Sequence, residues 1–151
     1  MSEIKRIFNE LESLYYGNAF HGPALKEILE SVTAKQALAK PIANAHNIWE
    51  LVLHIVGWNK VFLLGLEGKI LDAPEDGDFP IINDTSEQAW QKTLVHLKEN
   101  IDEMLEKISK LPDSNLNVNI PDKDYNLRFV IGGILNHIVY HSGQIALLKK
   151  A

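Results

Sequence analysis

Apolar residues recur every three to four positions through most of the chain, which is the period of an amphipathic helix. The period predicts four long helices, at about residues 2–16, 48–68, 84–111 and 127–149. The second of these stretches is apolar on nearly every side. Such a helix is normally covered by its neighbours, so it is expected to lie at the centre of the fold.

Residues that favour helix starts precede these stretches. Asn47 followed by Glu50 resembles a capping box. In this motif the side chain of the first residue accepts the backbone N–H of the second, and the side chain of the second accepts the backbone N–H of the first. Asp84 or Thr85 is expected to cap the third long helix, and Asn126 the last. The caps agree with the boundaries that the apolar period indicates.

The segments that connect the long helices differ in length and in predicted structure. Short helices are predicted near residues 23–29 and 34–39. Residues 69–84 form a loop rich in Asp, Pro and Gly, which is long for a simple connector and suits a lid or the mouth of a site. Residues 116–125 alternate apolar and polar side chains, which is compatible with a small hairpin and equally with an irregular loop.

Four long helices joined by loops predict an all-α fold, an antiparallel four-helix bundle. The 151 residues suit a single domain spanning residues 1–151, and the 46% of hydrophobic residues can build a sizeable core. The chain has no cysteine. Disulfide frameworks, thiolate metal sites and cysteine nucleophiles are therefore excluded.

Charge and hydropathy narrow the set of partners. The formal net charge is −5 and the basic residues are scattered, which argues against nucleic acid as a partner. The N-terminus lacks the apolar core of a signal peptide, and no run approaches the roughly 18 uninterrupted apolar residues of a membrane span. A soluble cytoplasmic protein without a membrane partner is expected.

Three histidines are the strongest sign of chemistry. His137 and His141 are four residues apart on the last predicted helix, so their imidazoles share one face. His54 on the central helix offers a third ligand, and three imidazoles can hold a metal ion. The alternative is that each ring is a buried, hydrogen-bonded histidine of the core.

Three neutral imidazoles with an open position suit zinc, nickel, copper or iron, whereas magnesium and calcium prefer oxygen ligands. Glu50, one turn before His54, is a candidate hydrogen-bond acceptor or general base, with the capping box as its structural alternative. Gln144 is a candidate for orienting a bound water or substrate, with a hydrogen bond between helices as its alternative.

Two segments, residues 47–55 and 136–149, resemble the signature segments of the DinB/YfiT-like superfamily, and the similarity extends across nearly the whole chain. The resemblance implies a four-helix bundle, often a homodimer, with a divalent metal on His54, His137 and His141. Nickel and zinc are the leading candidates. Relatives include transferases and isomerases that use low-molecular-weight thiols such as bacillithiol, and others classed as hydrolases.

The leading hypothesis is therefore a metal-dependent enzyme, a thiol-dependent S-transferase acting on a small electrophile. A hydrolase that uses metal-bound water, positioned by Glu50 or Gln144, is the second hypothesis. The third is a stress or binding protein without enzymatic activity, in which the metal is structural. Under either enzymatic hypothesis the partner is a small molecule.

Overall fold

A computed structural model describes residues 2–70 and 72–151, and helices account for most of them. The elements are α1 (Glu3–Tyr16), α2 (Leu25–Leu29), α3 (Ala34–Leu38), α4 (Ile48–Leu66), α5 (Glu87–Ser109), a 3₁₀ turn (Asp113–Asn117) and α6 (Leu127–Lys150). Within these described residues, the β pairing consists of one isolated bridge between Asn119 and Asn126. The all-α fold that the apolar period predicts is confirmed.

The four long helices form a bundle in which α4 packs against α5 and α6, and α1 packs against the same two helices. α1 and α5 run antiparallel: the backbone N–H of Ile4 donates to Asp113 just beyond α5, while Tyr16 at the other end bonds Asp102. α4 and α6 are also antiparallel, since Leu51 lies near Leu148 at one end of the pair.

The bundle is not antiparallel throughout, because α4 and α5 run in the same direction. Trp49 at the start of α4 donates to Thr93 near the start of α5, at 3.1 Å. At the other end, Lys107 of α5 bonds Glu67, which follows α4. Residues 67–86 must therefore carry the chain back along the bundle before α5 begins. This return explains why the connection is so long.

α4 is the most covered of the long helices. It is long and apolar enough to cross a membrane by length and composition, yet 61% of that stretch is buried inside the bundle. Trp49 and Trp90 of α5 are buried against each other, with ring centroids 5.1 Å apart. This is the burial of the core helix of a soluble protein, as the sequence predicts.

Helix boundaries show where the sequence-based predictions were wrong. The cap of α5 is Ser86, whose hydroxyl accepts the N–H of Ala89, and not Asp84 or Thr85. Asp84 instead accepts the N–H of Ser86 in a local turn that precedes the helix. α2 begins at Leu25, two residues after the predicted start. Of the two alternatives left open for residues 116–125, the structure has a minimal hairpin-like turn without a regular strand: the N–H of Ile120 donates to the carbonyl of Tyr125 at 3.0 Å, beside the Asn119–Asn126 bridge.

Candidate metal centre

The three histidines predicted as ligands converge between α4 and α6. Their candidate ligand nitrogens all lie within 4.8 Å of one another, and the Nε2 atoms of His54 and His137 are 3.0 Å apart. Ligands of a tetrahedral zinc, with bonds of about 2.0–2.1 Å, lie roughly 3.3 Å from each other. The spacing is thus close to what one cation requires.

The helices explain this convergence. His137 and His141 share a face of α6 because they are one turn apart, and the antiparallel α4 brings His54 to the same level. His54 and His141 are each only 7% exposed, while His137 is half-buried. The cluster therefore lies within the wall of the bundle.

Two of the rings are held by hydrogen bonds at Nδ1. His54 Nδ1–H donates to the backbone carbonyl of Asp78 at 2.9 Å, and His141 Nδ1–H donates to Oε1 of Gln144 at 2.6 Å. A proton on Nδ1 leaves the Nε2 lone pair of each ring free for a cation. Acceptors of this kind fix the tautomer and orientation of metal-ligating histidines.

His137 is the ring with the poorest hydrogen bonding. Its Nδ1 is buried and has no partner among the described residues. Its Nε2 faces the Nε2 of His54. The His54 Nε2 carries a lone pair, because the proton of that ring is on Nδ1, where it is donated to Asp78. Buried polar atoms are normally satisfied, so the pair of facing nitrogens fits a cation between them. The donor set of three imidazoles suits zinc or nickel.

The surroundings also lower the pKa of two of the rings. Burial lowers the pKa of His137 to about 4, and repulsion by charge on His141 and His54 contributes to the shift. Burial likewise lowers the pKa of His141, against the opposing effect of its bond to Gln144. At neutral pH both rings are in the unprotonated form that binds metals.

The loop after α4 supplies residues that the sequence-based prediction missed. Asp78 holds His54 through its carbonyl and its carboxylate, the latter 3.1 Å from Nδ1, and Trp58 donates to that carboxylate at 2.7 Å. The Phe79 ring stacks on His54 at 4.5 Å and on His46 at 3.5 Å between centroids. The loop's length and composition marked it as a lid or mouth, but no pattern singled out these side chains.

Glu50 lies in the capping box that its spacing from Asn47 predicts. One carboxylate oxygen accepts the N–H of Asn47 at 2.9 Å and approaches His46 Nδ1 at 3.1 Å, and the other is 3.1 Å from the Lys40 ammonium. Burial raises the pKa of Glu50, but these hydrogen bonds together lower it below its ordinary value. The catalytic roles of Glu50 and Gln144 stay predictions.

The remaining histidines lie outside the cluster. His21 and His96 are exposed, and His46 is exposed but stacks on Phe79.

A cavity of about 340 Å³ lies beside Gln144, on the side of residues 42–46, and its lining does not include the three clustered histidines themselves. Gln144, which holds His141, forms part of its wall, and so does His46. The lining residues are Ile42, Asn44, Ala45, His46, Leu51, Gln144, Leu147 and Leu148. No residue of this lining is Asp, Glu, Lys or Arg, so the cavity suits an uncharged, largely apolar molecule.

The fold is a helical bundle in which two neighbouring helices bring three imidazoles together, an arrangement that could hold a metal ion between the helices. The chain belongs to the DinB superfamily, whose family model matches residues 20–145 and so includes all three histidines. The superfamily that the resemblance indicated is confirmed. No curated protein and no solved structure shows significant similarity to the chain.

Proposed function

We propose that this protein is a metal-dependent enzyme, and specifically a thiol-dependent S-transferase that acts on a small electrophile. The observation that supports the proposal best is the convergence of His54, His137 and His141 on one point, with two of the rings pre-oriented through Nδ1. His54, His137 and His141 would hold nickel or zinc. When bound, the cation would supply a Lewis acid that lowers the pKa of a coordinated thiol.

The chain's own residues have separate tasks in this proposal. Asp78 and Gln144 hold the ligand rings in place, and the Phe79 ring covers one face of His54. The uncharged cavity beside Gln144 would receive the electrophile. In the transfer, the thiol proton leaves to solvent and the sulfur forms a bond to the electrophilic carbon while that carbon's bond to its leaving group breaks. The leaving group departs to solvent with the electron pair of that bond, so no oxidant is needed. A cytoplasmic location, where low-molecular-weight thiols stay reduced, is part of this proposal.

Hydrolysis by metal-bound water is less well supported. In that mechanism Glu50 would act as general base, but both of its carboxylate oxygens already have partners in the cap and at Lys40. The engaged carboxylate favours a reaction that needs no protein base. Attack of a preformed thiolate on an electrophilic carbon is such a reaction.

The test measures the rate at which metal-loaded protein conjugates a fluorogenic electrophile with each of a panel of low-molecular-weight thiols. We expect a conjugation rate above the uncatalysed rate with at least one thiol. His141→Ala should abolish both metal binding and the rate enhancement. The matched control is His21→Ala, which changes an exposed histidine outside the cluster and should leave both unchanged.

The same samples separate the competing functions. A metal-dependent rate of ester or amide hydrolysis, without thiol conjugation, would establish the hydrolase instead. Full metal binding with neither activity would indicate the structural metal of a binding protein. Unchanged conjugation in His141→Ala would remove the metal centre from the mechanism.

A further inference from the structure

His46 is a histidine outside the metal cluster whose ring is nevertheless held in a fixed orientation. Its Nδ1–H donates to Oε2 of Glu50 at 3.1 Å, and its ring stacks on Phe79 with the centroids 3.5 Å apart and the planes 7° from parallel. The side chain is 48% exposed, so it is accessible to a ligand. An exposed side chain loses rotamer freedom when it is held by two partners in this way.

Phe79 connects His46 to the metal centre. The Phe79 ring also stacks on His54, with the centroids 4.5 Å apart and the planes 10° from parallel. Two imidazoles this close to one phenyl ring would overlap if they shared a face, so they lie on its opposite faces. His46 is thus separated from a candidate metal ligand by one aromatic ring.

His46 also forms part of the wall of the cavity beside Gln144. Among the described residues that line this cavity, His46 is the one whose side chain can give up or take a proton near neutral pH. The other lining side chains are aliphatic or end in amides. Because Nδ1 is bonded to Glu50, Nε2 is the ring nitrogen available to a molecule in the cavity.

Glu50 is a carboxylate that holds the Nδ1 proton of His46. Burial raises the pKa of this carboxyl, but hydrogen bonds from Asn47, Lys40 and His46 together lower it below its ordinary value. The Lys40 ammonium is 3.1 Å from Oε1, whereas His46 bonds Oε2, so the two donors use different oxygens. In the imidazolium both nitrogens are donors, and the proton that can be transferred is then the one at Nε2.

We propose that His46 is a general acid of the S-transfer, which donates its Nε2 proton to the leaving group of the electrophile, and that Glu50 is the residue that positions it. This inference rests on the proposed function and adds a substrate class: electrophiles whose leaving group is a basic aryl oxygen, a phenolate. The aliphatic walls of the cavity suit the aryl group. An oxyanion between such walls would be poorly solvated, and proton transfer removes its charge as that charge develops.

The step conserves atoms and electrons. The thiolate sulfur forms its bond to the electrophilic carbon while the bond from that carbon to oxygen breaks. The oxygen keeps the electron pair of the broken bond and takes the proton from Nε2, so that a neutral phenol leaves. The Nδ1 proton stays on the bond to Glu50, and Nε2 regains a proton from solvent, to which the thiol has lost one.

A series of benzyl electrophiles that differ only in the leaving group tests the proposal. The leaving groups are bromide and halogenated phenolates of increasing basicity, and the measurement is the rate of thiol conjugation by metal-loaded protein. We expect His46→Gln to slow phenolate departure by about 10²–10⁴-fold and bromide departure much less, because bromide leaves without a proton. His21→Gln changes an exposed histidine outside the cavity and should match wild type for every leaving group.

Glu50→Gln tests the positioning role, because glutamine also serves in a capping box but carries no charge. The rate in this variant should depend more steeply on leaving-group basicity than in wild type. A purely structural role would lower the melting temperature without changing that dependence, and an unchanged dependence would overturn the role of Glu50.

Circular dichroism and metal content establish that each variant is folded and loaded. Equal rates in wild type and His46→Gln, or an equal slowing with all leaving groups, would overturn the general acid while leaving the S-transferase in place. If wild type conjugates none of the electrophiles with any thiol, the proposed function and this inference both fail.

Discussion

Gln144 is a residue outside the candidate ligand set whose side chain holds one of the three histidines. Its Oε1 atom accepts from His141 Nδ1 at 2.6 Å, which directs the other ring nitrogen toward the cluster. That Gln144 orients a water or substrate stays a prediction, and the contact found is with the candidate ligand His141. A residue in this position tunes ligand basicity and orientation.

Replacing Gln144 should therefore change metal affinity. Gln144→Leu removes the acceptor and should weaken metal binding about 10–100-fold. Gln144→Glu retains an oxygen at the same position and should keep affinity close to wild type. Competition with a chelating dye measures both. Equal affinities for wild type and Gln144→Leu would show that the hydrogen bond does not support the site.

Tyr15 is a residue whose environment predicts pH-dependent stability. Burial raises its pKa to about 12 from the ordinary value of 10, and nearby Tyr16 and Asp102 add to the shift. Because the folded protein disfavours the tyrosinate, the stabilisation is complete below pH 10 and is lost as the pH rises from about 10 to about 12.

Tyr15→Phe should remove this pH dependence. In urea titrations, the free energy of unfolding of wild type should fall by up to about 1.4 kcal/mol per pH unit above pH 10 because of this one group. The variant should show a shallower fall over the same interval. Identical slopes would mean that Tyr15 ionises as easily in the folded protein as in the unfolded chain.

At the scale of elements, the start of α5 shows how tertiary contacts select a cap. Asp84, Thr85 and Ser86 are all residues that cap helices well. Ser86 is the cap found, and Glu87 in the first turn reaches across to accept the N–H of Ala34 at 2.7 Å. That contact joins the start of α5 to the start of α3.

The cap can be assigned by mutation. Ser86→Ala should lower the free energy of unfolding by about 0.5–2 kcal/mol, because the N–H of Ala89 loses its acceptor. Thr85→Ala is the matched control and should have little effect. Chemical denaturation measures the free energy of unfolding of the two variants and so decides between Ser86 and Thr85 as the cap. A larger loss of unfolding free energy in Thr85→Ala than in Ser86→Ala would contradict the assignment.

At the scale of the whole molecule, helix direction connects the fold to the site. Because α4 and α5 are parallel, the chain must return along the bundle between them. That return places Asp78 and Phe79 against His54. Two residues of the loop predicted as a lid or mouth thus hold a candidate metal ligand in place.

Metal binding should stabilise the whole bundle, since the ligands come from two helices that the unfolded chain separates. A cation present at about 1,000 times its dissociation constant adds roughly 4 kcal/mol to the free energy of unfolding. Chelation should therefore lower the melting temperature of wild type by several degrees, about 2–4 °C per kcal/mol. His54→Ala should melt at the same temperature with and without chelator, and a shift in that variant would mean that the metal binds elsewhere.

Local patterns were enough to predict the four long helices, the capping box at Asn47 and the face shared by His137 and His141. These features depend on residues within a turn or two of each other, and the helical period relates such residues directly. The third ligand, His54, was identified from its place on the central helix and from the family resemblance. The structure brings all three imidazoles together as predicted.

Tertiary packing decided the parallel direction of α4 and α5, the cap at Ser86 and the approach of Asp78 and Phe79 to His54. Each of these depends on contacts between segments far apart in the chain, and many loop conformations can connect the same helices. The period of apolar residues specifies which face of a helix is buried, but not which neighbour buries it. For this reason the ligands could be read from the residues, whereas the side chains that hold them required the folded chain.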